Sequence, residues 1–281
     1  MSSSTNNGSI RVGCVPEHFS APLLHAVESG EFAAGEIELM VKKLCAGELD
    51  VAICVTEGLV AGVNKNKDLC LFGTYVDTPL PWAVSVATDA AYSTVDDLAF
   101  GATFGISRPG SGSEVMARYA ASKYEWANQP KFAVLGDVHG LVEGVQQGQA
   151  DAFMWERTTM QRHYAANQVR YLGTVRPPWP AFSYGARSEY VQANAARVKE
   201  LVAKICRVTG AFMAAEKNEE ALAYVCRELG YQRADAEQWK GYVGFSADGS
   251  VDDERVGAAI RALTRAGVVE DCSISDVVVR P

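Results

Sequence analysis

The sequence predicts an α/β protein of two lobes joined by a hinge, with a helical C-terminal part. Three observations indicate this fold. One layout of strands and helices occurs twice, and each copy ends in a G-x-x-D run followed by an apolar strand, at 47–57 and at 148–156. Proline-rich segments at 79–82 and 174–180 are typical of extended crossings between lobes. After the second crossing, apolar residues recur at helical spacing.

The two copies have the same order of predicted elements. The first contains a strand at 10–15, the loop 16–20, a helix with Pro22 in its first turn, a strand at 37–41, a short helix and the strand of the run 47–57. The second contains a strand at 100–106, the loop 107–113, a helix with Val115, Tyr119 and Trp126 on one face, a strand at 132–135, a helix marked by Val138, Leu141, Val142 and Val145, and the strand of the run 148–156.

The two G-x-x-D runs predict a common cleft. In each run a glycine can end the helix in the left-handed conformation, and the aspartate opens the next strand. These strands exit at Glu57 and Glu156. Because ligands of open α/β sheets bind beyond the carboxyl ends of the strands, we expect both strand exits and the loops 16–20 and 107–113 to face one cleft. The alternative is a coincidental similarity between two α/β units.

The crossings set the predicted lobe boundaries. The first lobe is discontinuous, 9–81 with 179–281, and the second lobe is 82–178. The C-terminal helices of the first lobe are predicted from two stop signals, Gly230 and Gly267, and from a set of apolar positions. These positions are Val198, Leu201, Val202, Ile205, Phe212, Leu222, Val225, Leu229, Val256, Ile260 and Leu263.

The serine-glycine loop at 107–114 is the strongest candidate for ligand contact. It joins a predicted strand to a predicted helix, so it leaves backbone N–H groups unpaired at the positive end of that helix. Hydroxyls of Ser107, Ser111 and Ser113, close to Gly112, and the Arg108 guanidinium could add donors for a carboxylate, sulfonate or phosphate. The alternative is that Ser111 or Ser113 caps the helix and Arg108 is solvated.

Composition restricts the classes of partner and compartment. The net charge of −8 argues against nucleic acid or an anionic membrane as the main partner. No apolar stretch approaches the roughly 20 residues that span a bilayer. The segment 1–8 has no basic or apolar region typical of a secretory signal. Seven cysteines without a C-x-x-C pair favour reduced, mostly buried thiols, so we expect a cytoplasmic protein.

The arrangement resembles the type II periplasmic-binding-protein fold, and within it the aliphatic-sulfonate and thiamine-pyrimidine-synthase-like group. The resemblance covers about 9–270 and depends on four segments: Ile10-Arg11-Val12-Gly13, the run at 47–50, Ser93-Thr94-Val95-Asp96-Asp97-Leu98 and the run at 148–151. It implies a ligand held between the lobes by the first helix-start loop of each, which here are 16–20 and 107–113.

Two departures from that family bear on function. Members that serve ABC transporters carry a signal peptide or a lipoprotein cysteine, and neither is found here, so the chain is more similar to small eukaryotic cytosolic members without an established ligand. The yeast-type pyrimidine synthase uses an iron-dependent reaction that consumes its own histidine. Its cysteine-rich iron motif has no counterpart in this sequence, although His18 lies in the first loop.

The remaining candidates could contact a ligand from the other walls. Glu17 and His18 could bind it or transfer protons, and Glu57 and Glu156 could accept hydrogen bonds from an amine. Trp82, Trp155 or Trp179 could stack on a ring. The alternatives are a structural histidine, ordinary strand-exit carboxylates and lobe-packing tryptophans. The full predicted set of ligand-binding residues is Glu17, His18, Phe19, Glu57, Tyr75, Trp82, Ser107, Arg108, Ser111, Gly112, Ser113, Trp155 and Glu156.

The function predicted from these features is a solute-binding protein that closes two lobes over a small polar metabolite, anionic or zwitterionic. The alternative is an enzyme of thiamine-pyrimidine or related cofactor metabolism that uses His18 and Glu17. A third possibility is a sensor lobe whose partner is another protein. No catalytic residue, metal site or cofactor is predicted, because nucleotide-binding and metal-ligand spacings are absent from the sequence. The ligand's identity and the oligomeric state stay open.

Overall fold

The computed structural model describes residues 10–15, 17–32, 37–38 and 49–281, and structural statements below concern these residues. Several predictions fall outside them: those for Pro16, Cys45, Gly47 and Glu48, the predicted strand beyond Glu38 and the short helix after it.

The described chain forms ten strands and ten α-helices. The strands are β1 (Val12–Gly13), β2 (Ile37–Glu38), β3 (Val51–Val55), β4 (Leu69–Val76), β5 (Trp82–Val86), β6 (Thr103–Ile106), β7 (Lys131–Val134), β8 (Ala152–Glu156), β9 (Arg170–Val175) and β10 (Phe182–Arg187). The helices are α1 (Ala21–Glu28), α2 (Thr56–Lys65), α3 (Gly112–Lys123), α4 (Val138–Gln146), α5 (Arg157–Ala165), α6 (Ser188–Ala193), α7 (Ala195–Met213), α8 (Asn218–Leu229), α9 (Arg233–Tyr242) and α10 (Asp253–Arg265).

The strands form two five-stranded sheets of the same design, in the orders β2-β1-β3-β10-β4 and β7-β6-β8-β5-β9. In each sheet three neighbouring strands are parallel, and a strand from elsewhere in the chain is inserted antiparallel beside them, β10 in the first sheet and β5 in the second. The chain passes between the sheets after β4 and again after β9. The predicted two-lobed α/β fold is therefore confirmed.

The aspartates of the G-x-x-D runs join neighbouring strands in both lobes. The Asp50 carboxylate accepts a hydrogen bond from the backbone N–H of Arg11 at 2.9 Å. The Asp151 carboxylate accepts one from the backbone N–H of Thr103 at 2.7 Å. Each aspartate thus fixes the start of the strand that follows it against the parallel neighbour, at equivalent places in the two sheets.

One predicted strand begins later than expected. Residues 95–100 form a 3-10 turn that Gly101 ends in the left-handed conformation, with φ at 89°. Strand β6 therefore starts at Thr103, and Phe100, predicted as part of a buried strand, is 79% exposed. The prediction was wrong here because an apolar side chain beside a glycine was taken as the beginning of the strand.

The C-terminal helices use the apolar positions that the sequence predicts. All of those positions are buried except Leu229, which is half-buried. Gly230 and Gly267 adopt φ values of 68° and 67° directly after α8 and just beyond α10. In the described part of the chain no helix is both long and apolar enough to cross a bilayer.

Helix α4, whose start borders the cleft, depends on a glycine in its first turn. A Cβ added to Gly140 would lie 2.0 Å from the backbone carbonyl oxygen of Leu135, which cannot move without displacing the loop. Replacing Gly140 by alanine is expected to lower the free energy of unfolding by about 2 kcal/mol. Chemical denaturation followed by circular dichroism measures the change.

The matched control is Gly210 in α7, where an added Cβ would meet no atom within 4 Å. Gly210→Ala is expected to raise the free energy of unfolding by about 0.5–1 kcal/mol, because alanine loses less backbone entropy in a helix. Equal effects of the two substitutions would show that the contact with Leu135 is not a constraint.

Candidate functional site

A cleft of about 320 Å³ lies where the carboxyl ends of parallel strands from both sheets meet. The first lobe contributes residues that follow β1 and end β3, and the second contributes residues that follow β6 and β7 and end β8. The lining residues are Val15, Glu17, Cys54, Val55, Leu80, Trp82, Ser107, Arg108, Ser111, Gly112, Ser113, Asp137, Trp155, Glu156 and Phe182. Its location is the one that strand polarity predicts.

The start of α3 presents free backbone donors to this cleft. Ser111 occupies the N-cap position, but its side chain does not cap the helix. Its hydroxyl instead lies 2.9 Å from the Ser113 hydroxyl, which accepts a hydrogen bond from the Ser107 N–H at 3.2 Å. The N–H groups of 112–114 therefore have no hydrogen-bond partner among the described residues. The helix dipole adds positive potential at the same point.

The loop before α3 is held by Glu114, whose negative charge does not cancel the positive potential at the start of this helix. Glu114 accepts a hydrogen bond from the Gly110 N–H at 2.8 Å, and Gly110 has φ at 74°. The Arg118 guanidinium pairs with the same carboxylate at 2.8 Å and offsets its charge. Arg108, exposed on the rim, forms no ion pair within the described ranges. This end of the cleft is thus rich in donors and net positive.

Gly112 allows the start of α3 to approach the hinge. A Cβ at this position would lie 2.9 Å from Cη2 of Trp82, whose ring is almost completely buried. Trp82 is the first residue of β5, so it packs at the point where the chain enters the second lobe. The contact between Gly112 and Trp82 forms one wall of the cleft.

The cleft wall also carries two acids, Glu17 and Glu156. Burial, with the nearby negative charge of Glu156 as the second cause, raises the pKa of Glu17 to about 8, although a hydrogen bond with Trp155 opposes the shift. Glu156 is 2% exposed and accepts hydrogen bonds from the Thr159 N–H at 2.7 Å and from the Tyr242 hydroxyl at 2.9 Å. One carboxyl group is therefore protonated near neutral pH, and the other is held by fixed donors.

His18 lies behind this wall and not on the surface of the cleft. Its ring is fully buried, with Nδ1 2.9 Å from the Tyr231 hydroxyl and Nε2 3.5 Å from Oε2 of Glu156. Burial lowers the pKa of His18 to about 4, against the attraction of Glu156. The imidazole is neutral at pH 7, and its contacts are those of a structural histidine.

Three further predicted residues are buried outside the lining. The Glu57 carboxylate accepts a hydrogen bond from the indole N–H of Trp179 at 2.9 Å. Phe19 packs on Phe182, with ring centroids 4.7 Å apart, and the Tyr75 hydroxyl donates to the Phe19 carbonyl oxygen at 2.7 Å. Phe19 and, through it, Tyr75 support the Phe182 ring, which lines the cleft.

The structure brings together the rest of the predicted set. Glu17, Trp82, Trp155, Glu156 and all five residues chosen from the serine-glycine loop line the cleft. Sequence reasoning selected neither Asp137 nor the apolar part of the lining, which is Val15, Cys54, Val55, Leu80 and Phe182. Asp137 caps α4, accepting from the N–H groups of His139 and Gly140. Within the described ranges no group of three or more His, Cys, Asp or Glu is arranged to hold a metal ion.

Burial of Glu57 gives a prediction that depends on pH. Burial raises the pKa of Glu57 to about 7, and the hydrogen bond from the Trp179 indole N–H opposes this shift. Since the folded-state pKa is above the unfolded value, the free energy of unfolding falls as pH rises from about 4.5 to about 7. Replacing Trp179 by phenylalanine is expected to lower the free energy of unfolding by about 1 kcal/mol at pH 5 and by about 2 kcal/mol at pH 8. The loss is larger at pH 8 because the Glu57 carboxylate is then ionised and the lost hydrogen bond is charge-assisted. Urea titrations at both pH values measure this, and an equal cost would contradict it.

Comparisons with known proteins agree with this architecture. A family model described as Ca3427-like PBP matches residues 82–175, the segment from β5 to β9. The CA3427 gene product of Candida albicans, described as defining a new family with the generic periplasmic-binding-protein fold, is 25% identical, with 97% of this chain and 96% of that chain covered and a TM-score of 0.86. A comparison with curated proteins gives no match.

Two solved binding proteins share the fold at lower identity. The alkanesulfonate-binding protein SsuA of Xanthomonas axonopodis pv. citri, solved with MOPS bound, is 14% identical, with coverage of 97% and 98% and a TM-score of 0.78. The nitrate-binding protein NrtA of Synechocystis PCC 6803 is 14% identical, with coverage of 96% and 86% and a TM-score of 0.68. The chain has the periplasmic-binding-protein-like fold.

Proposed function

We propose that this protein binds a small anionic or zwitterionic metabolite in the cleft between its lobes. The observation that carries the proposal is the first turn of α3, whose N–H groups at 112–114 are unpaired and beside the cleft. A helix start of this kind is a suitable anion site, and the net charge of −8 means that an anion needs local attraction. The alkanesulfonate- and nitrate-binding relatives in fold support an anion as the ligand class.

The acidic wall supports a ligand with a second polar group. Glu17 and Glu156 line the same cleft as the start of α3, and most of the remaining lining is apolar. An ammonium or an amino-heterocycle at Glu17 would complement an anion at the start of α3. A taurine-like or amino acid-like molecule has this distribution of charge.

The alternative enzymatic role for His18 and Glu17 receives less support. An acid–base catalyst must reach the substrate proton, and the His18 ring is buried behind the lining with Nδ1 engaged by Tyr231.

We also propose a reducing compartment, since all six cysteines that the structure describes are unpaired.

The test is differential scanning fluorimetry against a panel of alkanesulfonates, aminosulfonates, amino acids, nitrate and phosphate, combined with native mass spectrometry of protein purified from its own host. A ligand at 100 times its Kd is expected to stabilise the fold by about 2.7 kcal/mol, which gives a clear rise in Tm. No thermal shift with any member of the panel, together with no co-purifying small molecule, would contradict the proposal.

Proton release distinguishes a zwitterion from a simple anion. With its pKa raised to about 8, Glu17 is mostly protonated at pH 7. An ammonium placed beside it would favour the ionised carboxylate, so binding should release nearly one proton. Calorimetry in two buffers of different ionisation enthalpy measures the number released. A ligand that binds Glu17 through an acceptor group would release none.

A further inference from the structure

Two tyrosine hydroxyls from the C-terminal helices bind the second lobe. The Tyr242 hydroxyl, at the end of α9, lies 2.9 Å from Oε1 of Glu156 and 3.1 Å from the Thr158 hydroxyl. The Tyr231 hydroxyl, in the segment between α8 and α9, lies 3.1 Å from the Thr159 hydroxyl. Glu156, Thr158 and Thr159 end β8 and begin α5, so all three contacts reach the segment that borders the cleft.

The helices that carry these tyrosines are anchored to the first lobe. The Tyr224 hydroxyl of α8 donates to Oε1 of Glu28 on α1 at 2.9 Å. On α9 the fully buried ring of Trp239 packs edge-on against His18, with centroids 5.1 Å apart. Tyr231 is itself fixed by its hydrogen bond with Nδ1 of His18 at 2.9 Å. The two hydroxyls therefore bridge one lobe to the other.

The bridge lies inside the protein. His18, Glu156, Thr158, Thr159 and Tyr231 are all buried, and Tyr242 is half-buried. Lobe opening would separate the hydroxyls from their three partners in one step. The lobes thus meet through hydrogen bonds between side chains of the protein.

The geometry points to a clasp, formed by the Tyr231 and Tyr242 hydroxyls, that keeps the two lobes closed when no ligand is bound. The metabolite then enters through a minor open state, and the clasp sets the population of that state. The clasp goes beyond the proposed function because it acts in the ligand-free protein, and it is tested without any ligand.

The test compares the double variant Tyr231→Phe, Tyr242→Phe with the wild type and with Tyr164→Phe. Both substitutions keep the rings, including the Tyr231 ring over which the Arg162 guanidinium lies at 5.0 Å, and remove only the hydroxyls. Tyr164 is the matched control, because its hydroxyl bonds Ser85 at 2.7 Å within the second lobe. Small-angle X-ray scattering measures lobe separation, and amide hydrogen exchange of the 156–162 segment measures opening.

The wild type and Tyr164→Phe are expected to scatter as the closed structure. The double variant should have a larger radius of gyration and exchange faster by about tenfold or more, since each lost hydroxyl bond contributes a factor of roughly two to ten. Thr159→Val, which removes one contact from the other lobe, should give a smaller increase of the same kind. An open wild type, or a double variant identical to Tyr164→Phe in both measurements, would overturn the clasp.

Discussion

Replacing Glu156 by alanine is expected to lower the free energy of unfolding by about 4 kcal/mol. The carboxylate accepts hydrogen bonds from the Thr159 N–H and the Tyr242 hydroxyl and faces Nε2 of His18. Its removal leaves the buried Thr159 N–H and the half-buried Tyr242 hydroxyl without this acceptor, removes the carboxylate next to the buried Nε2 of His18, and takes the side-chain cap from α5. An unsatisfied buried group costs about 1–3 kcal/mol, and a lost helix cap about 1 kcal/mol.

Asp137→Ala is the matched control for this experiment. Asp137 also caps a helix of the second lobe, accepting from the N–H groups of His139 and Gly140, but it is exposed and belongs to no buried network. Replacing Asp137 by alanine should lower the free energy of unfolding by about 1 kcal/mol. Denaturant titrations of both variants give the difference, and similar losses would mean that Glu156 acts only as a cap. Glu156→Gln, which keeps an acceptor oxygen, should recover much of the loss.

Replacing Ser111 by aspartate is expected to weaken the binding of any anionic ligand at least 100-fold without destabilising the fold. A carboxylate at the N-cap of α3 would accept hydrogen bonds from the free N–H groups and occupy the position of the anion. Two like charges 4 Å apart near a protein surface repel by about 4 kcal/mol, which exceeds the 2.7 kcal/mol that 100-fold represents. The cap itself should add about 0.5–1 kcal/mol of stability.

The variant Ser111→Asn distinguishes the effect of the added charge on binding from the effect of the larger side chain. Asparagine has the same shape as aspartate and also caps helices, but it carries no charge. Calorimetric titration with the strongest ligand of the panel should show affinity within about tenfold of the wild type for Ser111→Asn. If both variants lost binding equally, steric filling and not anion repulsion would be the cause.

Several cleft residues can be predicted from their distance along the sequence from the aspartate of each G-x-x-D run. Strands β3 and β8 both begin directly after the aspartate and have the same length. Val55 and Glu156 each stand five residues after it, and both line the cleft. The sequence prediction paired Glu156 with Glu57 as strand-exit acids, but Glu57 stands two residues further on. That offset carries Glu57 into the first turn of α2, where its side chain is buried.

The serine-glycine loop was recognisable because its signal is local. A strand, small residues and a helix start in sequence are sufficient to predict free N–H donors. The surroundings of His18 depend instead on Tyr231 and Trp239, more than 200 residues away along the chain. No spacing in the sequence connects them, so the choice between a reactive and a structural histidine needed the tertiary packing.

The most direct test of the central claim is a two-dimensional NMR titration of protein labelled with ¹⁵N-glycine and ¹⁵N-serine, using the strongest ligand of the panel. If the first turn of α3 holds the anion, the amide resonances of Gly112 and Ser113 will show large shifts, and the Gly241 amide, in a separate surface pocket beside Arg233, will not move. Binding that shifts Gly241 while Gly112 and Ser113 stay unchanged would contradict the account.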